Sequence, residues 1–162
     1  RSKSGGECGE RGIEPDEGAE ASEKDKGDEP LMEHIGNNAA NMDEIAGLLT
    51  AGDSITHCCN GKRSRILGPG GELRASVARA IARGVRLDVG HGSASFSFAV
   101  AKQAIGLGIL PQTISSDIYC RNRIDGPVRS LANVMSKFLA IGLSLPQVIA
   151  CVPDRSDEGR VG

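Results

Sequence analysis

Between residues 30 and 152 the apolar positions fall into blocks with two alternating periods. Short blocks read as strands: Pro30–Gly36 is a brief apolar run, and Ser54–Cys58, Val85–Val89 and Thr113–Asp117 follow. Longer blocks carry a helical stripe. Met42, Ile45, Ala46 and Leu49 share one face, and Leu73, Val77, Ala80 and Ile81 share another within Glu72–Arg83. Further helices are expected over Phe96–Leu107, Ser130–Ile141 and Leu145–Val152. Glycines close several blocks, among them Gly52, Gly84 and the Gly90-His91-Gly92 turn.

The order is therefore strand then helix, four times, with 23 to 34 residues between equivalent points. That is the mark of βαβ units and a parallel sheet. A doubly wound sheet and a part of a (β/α) barrel both fit. No G-x-G-x-x-G opens a helix, and Gly68-Pro-Gly-Gly71 lacks the Lys-Ser/Thr ending of a phosphate loop. The balance falls on the barrel. At 162 residues the chain is one domain by length and short for a closed eight-unit barrel of about 250.

The first thirty residues break the pattern. They hold ten acids, five bases and four apolar side chains, so they cannot bury enough surface to offset their ordering entropy. Residues 1–29 are expected to be an acidic, poorly ordered or degraded segment, and 153–162 a divergent tail, around a partial barrel over 30–152. The sequence opens on Arg rather than Met, so residues are expected to be missing upstream; no signal peptide is read in its first residues, and no apolar run of membrane-spanning length occurs in it. Overall charge is −2, and aromatics are 2% of residues. Neither a basic footprint nor a set of stacking platforms for nucleic acid is present. Five scattered cysteines without a C-x-x-C pair read as reduced thiols of a cytoplasmic protein.

Polar chemistry collects at one edge. His34, His57, His91 and Asp117 each stand where a strand should end, and these are all three histidines of the chain. Parallel α/β folds build their sites at the C-terminal ends of strands. Two imidazoles and a carboxylate suit zinc or a similar divalent metal with one position open for water. Asp117 can then act as the proton acceptor. Read one at a time, each histidine is an ordinary structural residue and Asp117 a turn former; it is their common position that points to a site. Cys58 and Cys59 adjoin His57, but neighbours on a strand face opposite ways, so buried thiols are expected rather than a Cys–His nucleophile. Arg121, Arg123 and Lys137 read as a solvated basic face, or as contacts for a substrate carboxylate.

Five strings occur in order: Met32–Asn37, Ile55–Gly61, Leu87–Gly92 with Ser95–Phe98, Leu110–Asp117, and Gly126-Pro127 followed by Met135–Leu139. Together they resemble the C-terminal half of the amidohydrolase/deacetylase metallohydrolases of the amidohydrolase superfamily, the dihydroorotase-like and adenine-deaminase-like proteins. The resemblance implies strands five to eight of a distorted (β/α)8 barrel with one or two divalent metals at its mouth. It implies His34, His57 and Asp117 as metal ligands and Asp117 also as the general base. His91, Asn60, Tyr119 and Arg121 would face the substrate, a small amide, cyclic amide or acetyl ester. The family's first-strand His-x-His and its strand-four lysine are absent, Ile118-Tyr119 stands where a histidine is common, and Asp16–Glu29 lacks the apolar face of a barrel helix. A half barrel would leave open edges, so homo-oligomers or edge-to-edge association are expected. The alternative is a truncated, inactive remnant with a structural or interaction role.

Overall fold

The computed structural model describes residues 29–37, 41–124 and 126–152. The expectations for residues 1–28 and 153–162, and for the Arg121 side chain, lie outside the described residues.

Three parallel strands form the sheet: β1 (Met32–His34), β2 (Ser54–Thr56) and β3 (Arg86–Leu87), in the order β1-β2-β3. Registers run Glu33 to Ile55 and Ile55 to Leu87. Spatial order follows chain order without a reversal. That order is consistent with consecutive units of a partial barrel.

The expected fourth strand, Thr113–Asp117, is not a regular strand. A single parallel bridge joins Asp88 to Thr113. Beyond it, Val89 N bonds Thr113 O (3.0 Å), and His91 N and Gly92 N bond Ser115 O and Ser116 O (3.2 Å each). The segment lies alongside β3's continuation, but glycines at 90 and 92 with φ of +45° and +52° twist the pairing. β2 likewise stops at Thr56, two residues before its expected end, because His57 adopts φ +61°.

Among the described residues the helices are, in chain order, α1 (Met42–Leu48) between β1 and β2, α2 (Ala75–Ala82) between β2 and β3, then α3 (Phe98–Gly106), α4 (Cys120–Ile124), α5 (Leu131–Ala140) and α6 (Leu145–Ala150). α1 begins at a capping box, where the Asn41 side chain accepts from Asp43 N (3.2 Å) and Glu44 reaches back to Asn41 N (3.4 Å). It buries Met42, Ile45 and Ala46 and packs on α2. α2 starts three residues later than its stripe predicts. Leu67 and Leu73 form an antiparallel bridge around Gly68–Gly71, which keeps Leu73 out of the helix. α3 starts after Ser97, whose hydroxyl caps Val100 N; Phe96 stays outside the helix and packs at the strand ends. α4 is a short turn the spacing did not predict.

Ile35, Ile55, Leu87, Val89 and Ile114 fill the sheet, and Val77, Ala80, Val134 and Phe138 cover it from the helices. Cys58 and Cys59 are buried in this core with their sulfurs 3.8 Å apart, as thiols and not as a disulfide. The hydrogen bond with Cys59 first, and then burial, hold the Cys58 thiol well above its ordinary range. Among the described residues no helix is long and apolar enough to cross a membrane.

Candidate functional site

The two histidines that follow β1 and β2 meet at the C-terminal edge of the sheet. His34 ends β1, and His57 follows β2. Parallel registration puts them side by side, with ring centroids 4.0 Å apart and edge to face. His57 is 4% exposed, and its Nδ1 donates to the carbonyl of Gly90. That bond places the ring proton on Nδ1 and turns the lone pair of Nε2 the other way, the usual arrangement of an imidazole that serves as a ligand. His34 is held below the ordinary histidine range by desolvation first, then by His57 and Lys62, with Asp117 acting in the opposite direction.

The left-handed φ of His57 takes its ring out of the alternation of β2. A non-glycine residue in that region costs free energy and persists only where its surroundings impose it. Asp117 shows the same feature, with φ +46°, at the end of the irregular fourth segment. Asn122 holds the loop beyond it. Fully buried, Asn122 donates to Asp117 O (2.8 Å) and accepts from Tyr119 N (2.9 Å). The Asp117 carboxylate lies over Gly92: a Cβ there would come within 2.6 Å of its Oδ2. Gly90 is equally constrained, because a Cβ would stand 2.3 Å from Thr56 Oγ1 and 2.7 Å from His57 Nδ1. Both positions require glycine on φ and on space.

Below the histidines lies a buried carboxylate. Asp88, 3% exposed, accepts from Thr56 Oγ1 (2.6 Å), Thr113 Oγ1 (2.7 Å) and Ser115 Oγ (2.7 Å). Three hydroxyl donors satisfy a charge that could not otherwise remain in the sheet. Sequence reading missed this residue. Its signal was an acidic residue inside an otherwise apolar strand, with hydroxyl side chains at the matching ends of neighbouring segments.

The other expected site residues are distributed differently. His91 is 2% exposed, stacked on Phe96 at 4.2 Å, and both ring nitrogens are engaged: Nδ1 faces Gly92 O (2.8 Å) and Nε2 faces Lys137 Nζ (2.9 Å). Its ring is buried among these partners. Asn60 is fully buried, and its amide is used within its own loop, on His57 O, Ser64 O and Lys62 N. It shapes the turn after β2. Tyr119 is exposed, and its hydroxyl pairs with Ser93 (3.0 Å). Lys137, half-buried, bridges His91 Nε2 (2.9 Å) and Pro127 O (2.6 Å).

Two imidazoles and a nearby carboxylate have the donor chemistry for a zinc-like ion. Among the described residues, however, no group of three or more His, Cys, Asp or Glu side chains stands close enough to hold one. His34 and His57 fit as two ligands; the carboxylate is in electrostatic reach of His34 without closing a third corner. A groove of about 280 Å³ between the Gly68–Gly71 loop and the start of α3 includes none of these residues in its lining.

A parallel α/β unit with its polar groups at the C-terminal strand edge defines the class: part of a barrel-type α/β scaffold. No protein-family model matches the chain. Over 142 residues, 87% of its length, it is 42% identical to a deacetylase of Enterococcus faecalis, of which that stretch is 38%. Over 123 residues it is 41% identical to a deacetylase of Agrobacterium fabrum, covering 76% of this chain and 30% of the relative. The crystal structure of an adenine deaminase superposes on 80% of this chain and 35% of its own, with a TM-score of 0.74 and 42% identity. That of a dihydroorotase superposes on 76% and 33%, with a TM-score of 0.69 and 42% identity. The chain belongs with these proteins in the amidohydrolase superfamily. It spans about a third of the length of the relatives it matches.

Proposed function

We propose that this chain supplies strands five to eight of a (β/α)8 barrel, and with them part of the site of a metal-dependent hydrolase within a longer enzyme. The substrate is a small molecule with an amide, cyclic amide or acetyl ester bond. The observation that carries this reading is the meeting of His34 and His57, with the Nδ1 of His57 bound to Gly90 O, on a chain 42% identical to a deacetylase.

His34 and His57 would hold the ion through ring nitrogens, with Asp117 as the oxygen ligand. When bound, a divalent metal of zinc type acidifies a water toward neutral pH and polarises the acyl carbonyl. The chain's own part is then positional and protonic. The Gly90 carbonyl keeps His57 in one tautomer. Asp117 accepts the proton of the attacking water on a carboxylate oxygen and passes it to the departing nitrogen or oxygen as the acyl bond breaks. Asn122 holds the Asp117 backbone while it does so. Tyr119 and Ser93 stand at the exposed rim beside it, where a substrate would enter. β1 is an edge strand with Met32 61% exposed, and association of copies through that edge belongs to the same proposal.

The first test is metal content of the 162-residue chain after zinc loading and desalting, with His57→Ala alongside. The expected result is about one zinc per chain, lost in the variant. Hydrolysis of N-acyl amino acids and acetyl esters by the loaded protein follows. No zinc in either protein would overturn the metal reading for this chain.

One observation favours the second reading, an inactive remnant with a structural or interaction role: the absence of a closed three-ligand group among the described residues. An unchanged zinc content, fold and hydrolysis rate in Asp117→Asn would support it.

A further inference from the structure

The Gly90-His91-Gly92 turn carries contacts to each part of the site. Gly90 O accepts from His57 Nδ1. Gly90 N donates to Ser115 Oγ (3.0 Å), which in turn donates to Asp88. Gly92 underlies the Asp117 carboxylate. A shift of this turn would therefore release the His57 ring and unseat Asp117 together.

His91 is the centre of the turn, and its two ring contacts define a single protonation form. A lysine ammonium has donors and no acceptor. The Nε2 that faces Lys137 Nζ at 2.9 Å must therefore be the acceptor. The proton lies on Nδ1, where it can be donated to Gly92 O at 2.8 Å. The ring is thus neutral, fixed in orientation and sandwiched against Phe96. Lys137 comes from α5 and is itself anchored twice. Its ammonium donates to Pro127 O (2.6 Å), and its neighbour Phe138 is fully buried with its ring 5.8 Å from that of Phe96. A long flexible side chain held at both its partners acts as a strut between helix and turn.

We propose that Lys137 is a positioning residue. By holding His91 in its Nδ1–H form it locks the Gly90–Gly92 turn, and through the Gly90 carbonyl it keeps His57 with Nε2 directed into the site. The purpose of the lock rests on the hydrolase reading above; its existence does not.

Long-range proton–nitrogen NMR correlations on the metal-free chain read the tautomer of each imidazole, and there are only three to assign. The expected spectrum has both His57 and His91 as Nδ1–H. In Lys137→Met, His91 loses its single tautomer and the Nδ1–H signal of His57 weakens with it. Zinc affinity of the same variant falls about tenfold, the lower end for loss of an outer-shell partner. Lys137→Gln keeps a donor without the charge and is expected to recover both ring signals; it also serves if Lys137→Met does not fold. A His57 signal that stays unchanged while that of His91 shifts would overturn the proposal. So would an Nε2–H form of His91 in the unaltered chain. If the unaltered chain binds no zinc yet the two rings respond together, the hydrolase reading fails and the lock stands.

Discussion

The two ends of the same three strands each contain a buried aspartate, and the two do different work. At the N-terminal end, Asp53 accepts from Leu31 N (2.9 Å), Thr50 N (2.7 Å) and Thr50 Oγ1 (2.9 Å). Two of those bonds close a turn three residues long, and the third fastens the start of β1. At the C-terminal end, Asp88 gathers hydroxyls from positions 32, 25 and 27 residues away. One aspartate completes local backbone; the other sets the spacing of three separate segments, two of which carry His57 and Asp117. A polar group can therefore be equally buried and equally satisfied, yet matter for stability at one end and for site geometry at the other.

Removing each carboxylate should separate the two roles most strongly. Asp88→Ala leaves the buried hydroxyl of Thr56 and the half-buried ones of Thr113 and Ser115 without their acceptor and should cost about 3 kcal/mol in urea unfolding, with loss of zinc binding. Asp53→Ala should cost about 2 kcal/mol and leave zinc affinity unchanged. Equal effects on zinc from both would erase the distinction. Next in size is Gly92→Ala. Its φ of +52° and the contact with Asp117 should cost roughly 2 kcal/mol and lower zinc affinity as Asp117 is displaced. The same substitution at Gly47, in α1 with open space around it, should be neutral or stabilising. Asn41→Ala removes the α1 cap, away from the site, at about 1 kcal/mol and with no effect on zinc.

The smallest effect is one of pH. Burial first, and the Lys137 ammonium as well, hold His91 below its ordinary value of 6.5, against the opposing Gly92 carbonyl. Above that value both folded and unfolded chains leave the ring neutral. As pH falls through it, the unfolded chain takes up a proton that the folded chain refuses, so stability declines toward acid. Urea midpoints measured from about pH 7 to about pH 5 should fall, and His91→Gln should flatten the decline.

Much of the fold could be read from the order of residues. The alternation of β and α blocks, the glycine stops and the helical stripes of α1, α5 and α6 lie close to where spacing puts them, because apolar periodicity reflects burial directly. The failures have local causes. α2 lost its first turn to the Leu67–Leu73 bridge, and α3 lost Phe96 to the Ser97 cap and the His91 ring. Thr113–Asp117 looked like a strand and became an irregular edge, since left-handed backbone at Gly90 and Gly92, opposite it, and at Asp117 twists the pairing out of a regular ladder.

That the histidines and Asp117 stand at the C-terminal edge of a parallel sheet follows from residue order alone, since parallel strands joined by helices leave no other place for strand-end residues. Residue order also determined the family likeness, which five ordered strings carry. What each side chain does there depends on long-range packing. His57 and His34 meet because β1 and β2 are in register, whereas His91, at an equivalent position in the chain, turns inward to Lys137 and Phe96. Asn60 is consumed by its own loop. A residue's place along a strand follows from period and spacing, but the direction of its ring depends on left-handed backbone at single positions and on partners 25 to 46 residues away. Neither leaves a trace in a local pattern of polar and apolar residues.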